Sequence, residues 1–322
     1  MGALRGRIRR ISANVCEVQS GEEVRRCTLR KKLKREKRWS IKLAAVGDEV
    51  LFTPMPDGEG EIEKLLPRRT KLSRHDILRP TREQVIAANV DQVLACQAAA
   101  EPPLDPFQID RTLIMAGAGG MGAALVVNKV DLVPRSALEP LLEPYPGIGL
   151  RILFVSAATG EGIEELRELL RGKVTVLLGP SGAGKSSLVN ALKPDLKLRT
   201  GEVSWKTGEG THTTSWAELI DVGGCWIVDT PGIEFFTLWG VDEKNLADLF
   251  PEFAQIGCRF KDCTHTVEPG CGILEGRGIH PLRQASYLRM LGEIRALPKV
   301  YYREGRRNIR ARYQEQKDEE ED

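Results

Sequence analysis

Apolar and polar positions along this chain keep two different rhythms. Over residues 1–66 they alternate in short runs, among them Asn14-Val15-Cys16-Glu17-Val18, Arg26-Cys27-Thr28-Leu29-Arg30 and Asp48-Glu49-Val50-Leu51-Phe52, with Gly and Pro between them. A period of two predicts half-buried strands, and several short ones in succession predict a small β-barrel. From Val85 onward strand-like runs alternate with helix-like ones. Val90 to Cys96, Ala123 to Val127, Arg151 to Val155 and Val174 to Leu178 read as buried strands. Asp110 to Ala116, Ala137 to Leu142 and Gly162 to Leu170 read as helices, the last with apolar Ile163, Leu166, Leu169 and Leu170. This alternation predicts a doubly wound α/β domain with a mostly parallel sheet. The uncharged stretch Thr112 to Asn128 is interrupted by Gly117, Gly119, Gly120 and Gly122. A membrane span needs about 20 mostly apolar residues, so the stretch reads as two buried elements around a turn, and no membrane association is expected.

Length limits the number of such units. The 322 residues allow two or three domains, because cores divide before they exceed about 250–300 residues. The changes of rhythm place them at 1–68, at 69–240 with 69–84 as a basic, proline-containing linker, and at 241–322. A hydrophobic share of 41% beside 29% charged residues excludes collagen-like, wholly disordered and disulfide-scaffold classes. The net charge of +2 is an average: residues 1–70 carry 17 basic and 10 acidic side chains, and a basic stretch precedes six acids in the last eight residues. Basic ends around a mildly acidic middle suit a polyanion, nucleic acid above all. Seven of the nine residues Arg30 to Arg38 are basic and Trp39 follows them. A barrel carrying such a loop is how many oligonucleotide-binding (OB) folds present themselves; a solvated loop has the same composition. With no secretory signal visible and three of seven cysteines crowded into Cys258 to Cys271, a reducing, cytoplasmic setting is expected.

The α/β segment carries the chemistry. Gly179-Pro180-Ser181-Gly182-Ala183-Gly184-Lys185-Ser186 follows a strand and precedes an amphipathic helix opening Ser187-Leu188-Val189-Asn190, which is the phosphate-loop pattern in its required context. Glycines let backbone N–H groups turn inward around phosphates, Lys185 neutralises the outer ones, and the Ser186 hydroxyl suits Mg²⁺. Asn128-Lys129-Val130-Asp131 ends another strand. The Asp131 carboxylate can accept from guanine N1–H and the exocyclic amine, a donor pair adenine lacks. Asn128 would tie this loop to its neighbours, the Lys129 stem would cover the base, and Ser156-Ala157 would offer an N–H to the guanine oxygen. Asp229-Thr230-Pro231-Gly232 follows the strand Cys225 to Val228; Asp229 can hold Mg²⁺ through water, and the Gly232 N–H can bond a γ-phosphate. Gly208 to Thr214 is a polar loop in which Thr213 or Thr214 would complete the Mg²⁺ shell. Ile233 stands where many GTPases orient the attacking water with glutamine, so slow intrinsic hydrolysis is expected, with His212 as the internal candidate for the missing group or as a polar loop residue without catalytic duty.

Downstream, Cys258, Cys263, His265 and Cys271 set three thiols and an imidazole within fourteen positions. Three Cys and one His make a closed tetrahedral zinc set, one structural ion per chain; buried free thiols are the other reading of this uncommon spacing. His280 lies outside the cluster and reads as a surface or packing residue. Pro281 to Leu297 has helical periodicity, and Arg303, Arg306, Arg307, Arg310 and Arg312 follow it. They can grip phosphates or form a solvated face.

The order of these pieces is base-reading motifs first, phosphate loop next, metal and γ-phosphate elements last, the reverse of an ordinary GTPase. With the basic barrel, Val85 to Gln92 leading the α/β part, and the metal knuckle, the sequence resembles the circularly permuted GTPases of the RsgA (YjeQ) family over nearly its whole length. Thr230 and Glu234 stand where that family often has Ser and Arg, and Thr211 precedes His212 where Arg is usual. The resemblance implies an N-terminal OB-fold barrel, a permuted P-loop GTPase domain and a C-terminal helical zinc-binding domain. It also implies a GTP hydrolase, bound to GTP or GDP and acting as a monomer, that binds the 30S ribosomal subunit and its 16S rRNA, assists late maturation and is stimulated by that subunit. An RNA-binding scaffold with a structural nucleotide is the alternative. A metabolic P-loop kinase is disfavoured by Asn128 to Asp131.

Overall fold

A computed structural model describes residues 2–296 apart from 13–14, 32, 34–42, 57, 77–81, 199–216, 230–237 and 261–262. Most of the basic run Arg30 to Arg38, the loop Gly208 to Thr214, Thr230 to Phe235 and the C-terminal arginines and acids therefore lie outside the described residues.

The N-terminal alternation folds as its period requires. Strands β1 (Leu4–Ser12), β2 (Val15–Ser20), β3 (Glu23–Leu29), β4 (Glu49–Pro54) and β5 (Gly60–Leu65) run β1-β2-β3-β5-β4, and β4 returns to pair with β1. That last pairing closes a five-stranded barrel. Only β3 and β5 are parallel; the other neighbours are antiparallel. Ile8, Cys16, Val18, Cys27, Val50, Phe52 and Ile62 fill it, none more than 1% exposed, while the alternate positions face solvent.

The segment expected to be a linker contains strand β6 (Lys71–His75), which pairs antiparallel with β7 (Glu83–Ala88) in a separate two-stranded sheet. Leu72 is buried and Lys71 and Ser73 meet Glu83. Its prolines and charges concealed a short period-two run. The arm also fastens the barrel: the Ala88 N–H donates to Val46 O (2.8 Å), Asn89 Nδ2 donates to Gly47 O (3.0 Å), and Arg68 grips the buried Asp48 carboxylate through two nitrogens (2.6 and 2.7 Å).

The α/β part has strands β8 (Gln92–Ala98), β9 (Gly122–Asn128), β10 (Arg151–Phe154), β11 (Val174–Leu178), β12 (Glu218–Asp221) and β13 (Trp226–Asp229) in the order β10-β9-β8-β11-β13-β12. The first five are parallel, and β12 runs antiparallel to β13. Both faces are covered. Helix α1 (Pro106–Ala118) packs on one through Ile109 beside Leu125 and Val127, and helices α2 (Ile163–Leu170) and α3 (Lys185–Leu192) pack on the other through Leu166, Leu170 and Leu188. Every residue of β8 is buried, as a central parallel strand demands. The helix expected over Ala137 to Leu142 is instead a 3₁₀ turn (Arg135–Ala137) and two four-residue helices (Glu139–Leu142 and Pro144–Gly147). Pro140, Pro144 and Pro146 remove N–H donors and crowd the residues before them, so no continuous helix can form.

Beyond Trp239, the 3₁₀ turn Ala247–Leu249 and helix α4 (Pro281–Ala296) pack against α1, and the 3₁₀ turn Pro251–Gln255 and the cysteine loop lie between them in the chain. Phe250, Tyr287, Met290, Leu291 and Ile294 share one core with Phe107, Ile114 and Met115. Among the described residues no helix is long and apolar enough to cross a membrane.

Candidate functional site

Strand β11 lies mid-sheet between β8, which precedes it in the chain, and β13, which follows it. The crevice outside the carboxyl end of such a switch point is where open α/β sheets take ligands. Residues 179–184 leave β11 there, and two of their glycines are required sterically. Gly179 passes so close to β8 that a Cβ would lie 1.9 Å from the Cys96 carbonyl oxygen. Gly184 has φ +82°, and a Cβ there would sit 2.2 Å from Asn128 Nδ2. No side chain caps α3, whose first residue is Lys185, so its leading N–H groups and the positive end of its dipole are available at the crevice. Lys185 Nζ donates to the carbonyls of Gly179 (2.8 Å) and Pro180 (2.9 Å). Ser186 and Ser187 are half-buried in the first turn, and Ser181 and Gly182 are exposed at the loop tip. Burial pushes the Cys96 thiol beneath the loop up to about 12 against the pull of Lys185, so it is no nucleophile.

Asn128 gathers the remaining loops. Its buried Nδ2 donates to Ala183 O in the phosphate-type loop (3.0 Å), and its Oδ1 accepts the Ala157 N–H after β10 (3.1 Å). Three segments, the outer two 55 positions apart, thus meet on one amide. Lys129, in the left-handed region at φ +61°, directs Nζ to the Glu101 carbonyl. Val130 is buried and its N–H donates to Val155 O (3.3 Å), which turns Asp131 outward to solvent. Ser156 is buried; its N–H donates to Glu161 O (2.9 Å) and its Oγ accepts the Thr159 N–H (3.1 Å). Asp229 closes β13, the neighbour of β11, half-buried. His212, Thr213, Thr214 and Gly232 lie outside the described residues. Ser186 in the first turn of α3 and Asp229 at the end of β13 are oxygen donors, the ligand chemistry that Mg²⁺ takes.

The sequence reading passed over one neighbour of this crevice. Pro102 Cδ lies 3.1 Å from where a Gly182 Cβ would be, and Glu101 receives Lys129. The signal was legible at the far end of the same loop, where Asp105 accepts the Phe107 N–H (2.9 Å) and Pro106 opens α1, an N-cap followed by proline at the first helical position.

The second cluster lies against α4. One ligand atom each from Cys258, Cys263, His265 and Cys271 fall within 4.8 Å of one another. Cys258 Sγ is 3.9 Å from Cys271 Sγ, and His265 Nδ1 is 3.5 Å from both. A tetrahedral zinc with its usual Zn–S and Zn–N bonds sets sulfurs about 3.8 Å apart and sulfur and nitrogen about 3.5 Å apart, so these residues fit the ion, with Nδ1 as the imidazole donor. Burial lowers the His265 pKa, against the pull of Glu268, which keeps a lone pair available. Burial would raise Glu268, but hydrogen bonds from Thr264 and Thr266 outweigh it and hold that carboxyl well below the usual range. His280 stands apart: its Nδ1 accepts the Leu282 N–H (3.2 Å) at the start of α4, and its Nε2 faces Glu143 (3.4 Å).

Comparison with known proteins agrees with this architecture. The family model described as RsgA GTPase matches residues 65–239. Proteins named small ribosomal subunit biogenesis GTPase RsgA from Chlorobaculum parvum and Moorella thermoacetica are 41% and 43% identical over 78% and 77% of this chain, covering 86% and 84% of their own. The protein of that name from Thermotoga maritima is 37% identical over 90% of this chain and 96% of its own. Among solved structures, YjeQ from Thermotoga maritima superposes with a TM-score of 0.74 at 34% identity, over 92% of this chain and all of its own. YloQ, described as a circularly permuted GTPase, gives 0.68 at 25% identity over 91% of this chain and 95% of its own.

Proposed function

This chain belongs to the RsgA GTPase family, and on that premise we propose that it hydrolyses GTP to GDP and phosphate in the biogenesis of the small ribosomal subunit. The observation that carries the reading is the double hydrogen bond of Asn128 to Ala183 O and Ala157 N. It draws the phosphate loop and both base-side loops into one pocket even though their order along the chain is permuted. In that pocket Gly179 to Ser187 cradle the phosphates, with Lys185 leaving its two carbonyls for the anionic oxygens. Asp131 accepts from guanine, the Lys129 stem covers the base, and the Ala157 N–H, alongside Ser156, is shared in a three-centre bond between Asn128 Oδ1 and the guanine oxygen. Mg²⁺, held by Ser186, Thr213 or Thr214, and Asp229 through water, supplies neutralisation of the outer phosphates. The Gly232 N–H bonds the γ-phosphate. His212 is the internal candidate for orienting the attacking water. One structural zinc sits on Cys258, Cys263, His265 and Cys271.

The partner is the 30S subunit through its 16S rRNA. The barrel gives the reading its electrostatic support: Arg5, Arg7, Arg9, Arg10, Arg25 and Arg26 all lie on β1 and β3. A cytoplasmic monomer suits this work. The test is a GTPase assay with and without purified 30S subunits at several salt concentrations. Stimulated turnover that declines steeply as salt rises is expected, because phosphate contacts release counterions. Turnover indifferent to subunits would favour an RNA-binding scaffold with an incidental nucleotide.

A further inference from the structure

We propose that Glu268, which is not itself a ligand, is the positioning residue of the metal knuckle, holding His265 where an ion can use it. The proposal rests on the zinc reading of Cys258, Cys263, His265 and Cys271.

Both oxygens of the Glu268 carboxylate are fully engaged. Oε1 accepts the Thr264 N–H (2.8 Å) and the Thr264 hydroxyl (2.5 Å). Oε2 accepts the N–H groups of Thr266 (3.0 Å) and Val267 (3.1 Å). The donors belong to the residues on either side of His265, so the chain wraps around one side chain at that point. His265 itself has φ +57°, a conformation that residues other than glycine adopt infrequently and that persists where the surroundings impose it. Here the carboxylate imposes it, and the consequence is directional: Nδ1 turns toward Cys258 and Cys271 at 3.5 Å from each sulfur. The other face of the loop is held by Tyr287, whose hydroxyl donates to Thr264 O (2.9 Å), and the imidazole is walled by the rings of Phe253 and Tyr287.

The geometry requires a carboxylate. All four contacts are donors directed at it, two on each oxygen, so glutamine in either orientation would aim its NH₂ at two of them. Aspartate is one methylene too short to reach both sets. Partners that orient a metal-ligating histidine change metal affinity by about 10–100-fold when removed, and that is the effect expected here.

The experiment uses the full chain loaded with zinc. Metal content is measured, and zinc release is followed by transfer to a chromophoric chelator, for the wild type, Glu268→Gln, Glu268→Ala and the control Glu275→Gln, whose exposed carboxylate meets Arg277. The two Glu268 variants are expected to release zinc about 10–100-fold faster, or to purify without it, while keeping wild-type GDP affinity; the control keeps the wild-type rate. In the cobalt-substituted forms the visible band of a tetrahedral site shifts only in the Glu268 variants. Release at the wild-type rate overturns the role given to Glu268 and leaves the zinc reading standing. Loss of GDP binding together with zinc overturns it too, since the carboxylate then serves the whole fold. A wild-type chain that takes up no zinc overturns both.

Discussion

At the scale of single residues, the guanine recognition proposed above depends on one exposed carboxylate that follows a buried Val130. Asp131 points to solvent because Val130 is anchored inward and Lys129 takes the left-handed conformation. Asp131→Asn replaces an acceptor pair by one acceptor and one donor, which mismatches the guanine amine and matches the C2 carbonyl of xanthine. Hydrogen bonds to a charged group contribute about 1.5–3 kcal/mol each, and 1.4 kcal/mol is tenfold in affinity. GTP binding is therefore expected to weaken about 100-fold or more, and xanthosine triphosphate to bind better than GTP. Calorimetry with both nucleotides checks it; unchanged GTP affinity would remove Asp131 from the pocket. Residues of this kind were legible in the sequence because their chemistry is local: donors and acceptors at fixed spacing behind a strand. Glu101 was not, because only its carbonyl is used and any residue supplies one. Nor was Glu268, whose part depends on four donors folding around it.

At the scale of elements, regular periodicity was legible and long-range pairing was not. Val174 to Leu178 was read to the residue, and α4 to within one position of its end, because each has an uninterrupted pattern. The helix expected over Ala137 to Leu142 is helical at Glu139–Leu142 but is cut from the 3₁₀ turn that ends at Ala137, because Pro140 removes an N–H donor at its start. What fastens α4 to α1 could not be read at all. Arg283, 1% exposed, donates to Asp110 Oδ1 (2.6 Å), 173 positions away, and to both oxygens of Glu252 (2.6 and 3.1 Å), with its guanidinium over the Phe250 ring. Burial would lower its pKa, but the Glu252 hydrogen bonds and the Asp110 charge more than restore it, so the cation persists. Breaking a buried pair from one side strands the other charge and costs about 3–5 kcal/mol. Arg283→Ala should lower the denaturant midpoint accordingly, and adding Asp110→Asn should recover part of the loss. A midpoint equal to the wild type would mean the pair contributes nothing to stability.

At the scale of the whole molecule, the permutation places each flanking region on a different part of the α/β sheet. The helical region with the metal knuckle leans on α1, whose leading loop touches Gly182 and Lys129. The barrel leans on the opposite edge: Arg10 of β1 pairs with Glu218 of β12, so barrel and sheet run on as a single eleven-stranded array. In the sequence, Glu218 follows Thr213 and Thr214, one of which is proposed to complete the shell of the nucleotide's metal, by only a few positions.

Two ligands on one chain, the nucleotide and the polyanion proposed above, close a thermodynamic box. Whatever factor GTP lends to the grip of the barrel on a polyanion, the polyanion must lend to the grip of the crevice on GTP, since the two routes around the cycle reach the same doubly loaded state. Fluorescence titrations of labelled 16S rRNA fragments with and without a non-hydrolysable GTP analogue, and of the analogue with and without RNA, should return one and the same ratio. A ratio of one in both directions would leave crevice and barrel uncoupled, and a ratio far from one would couple them, with the β1–β12 seam as their direct non-covalent join.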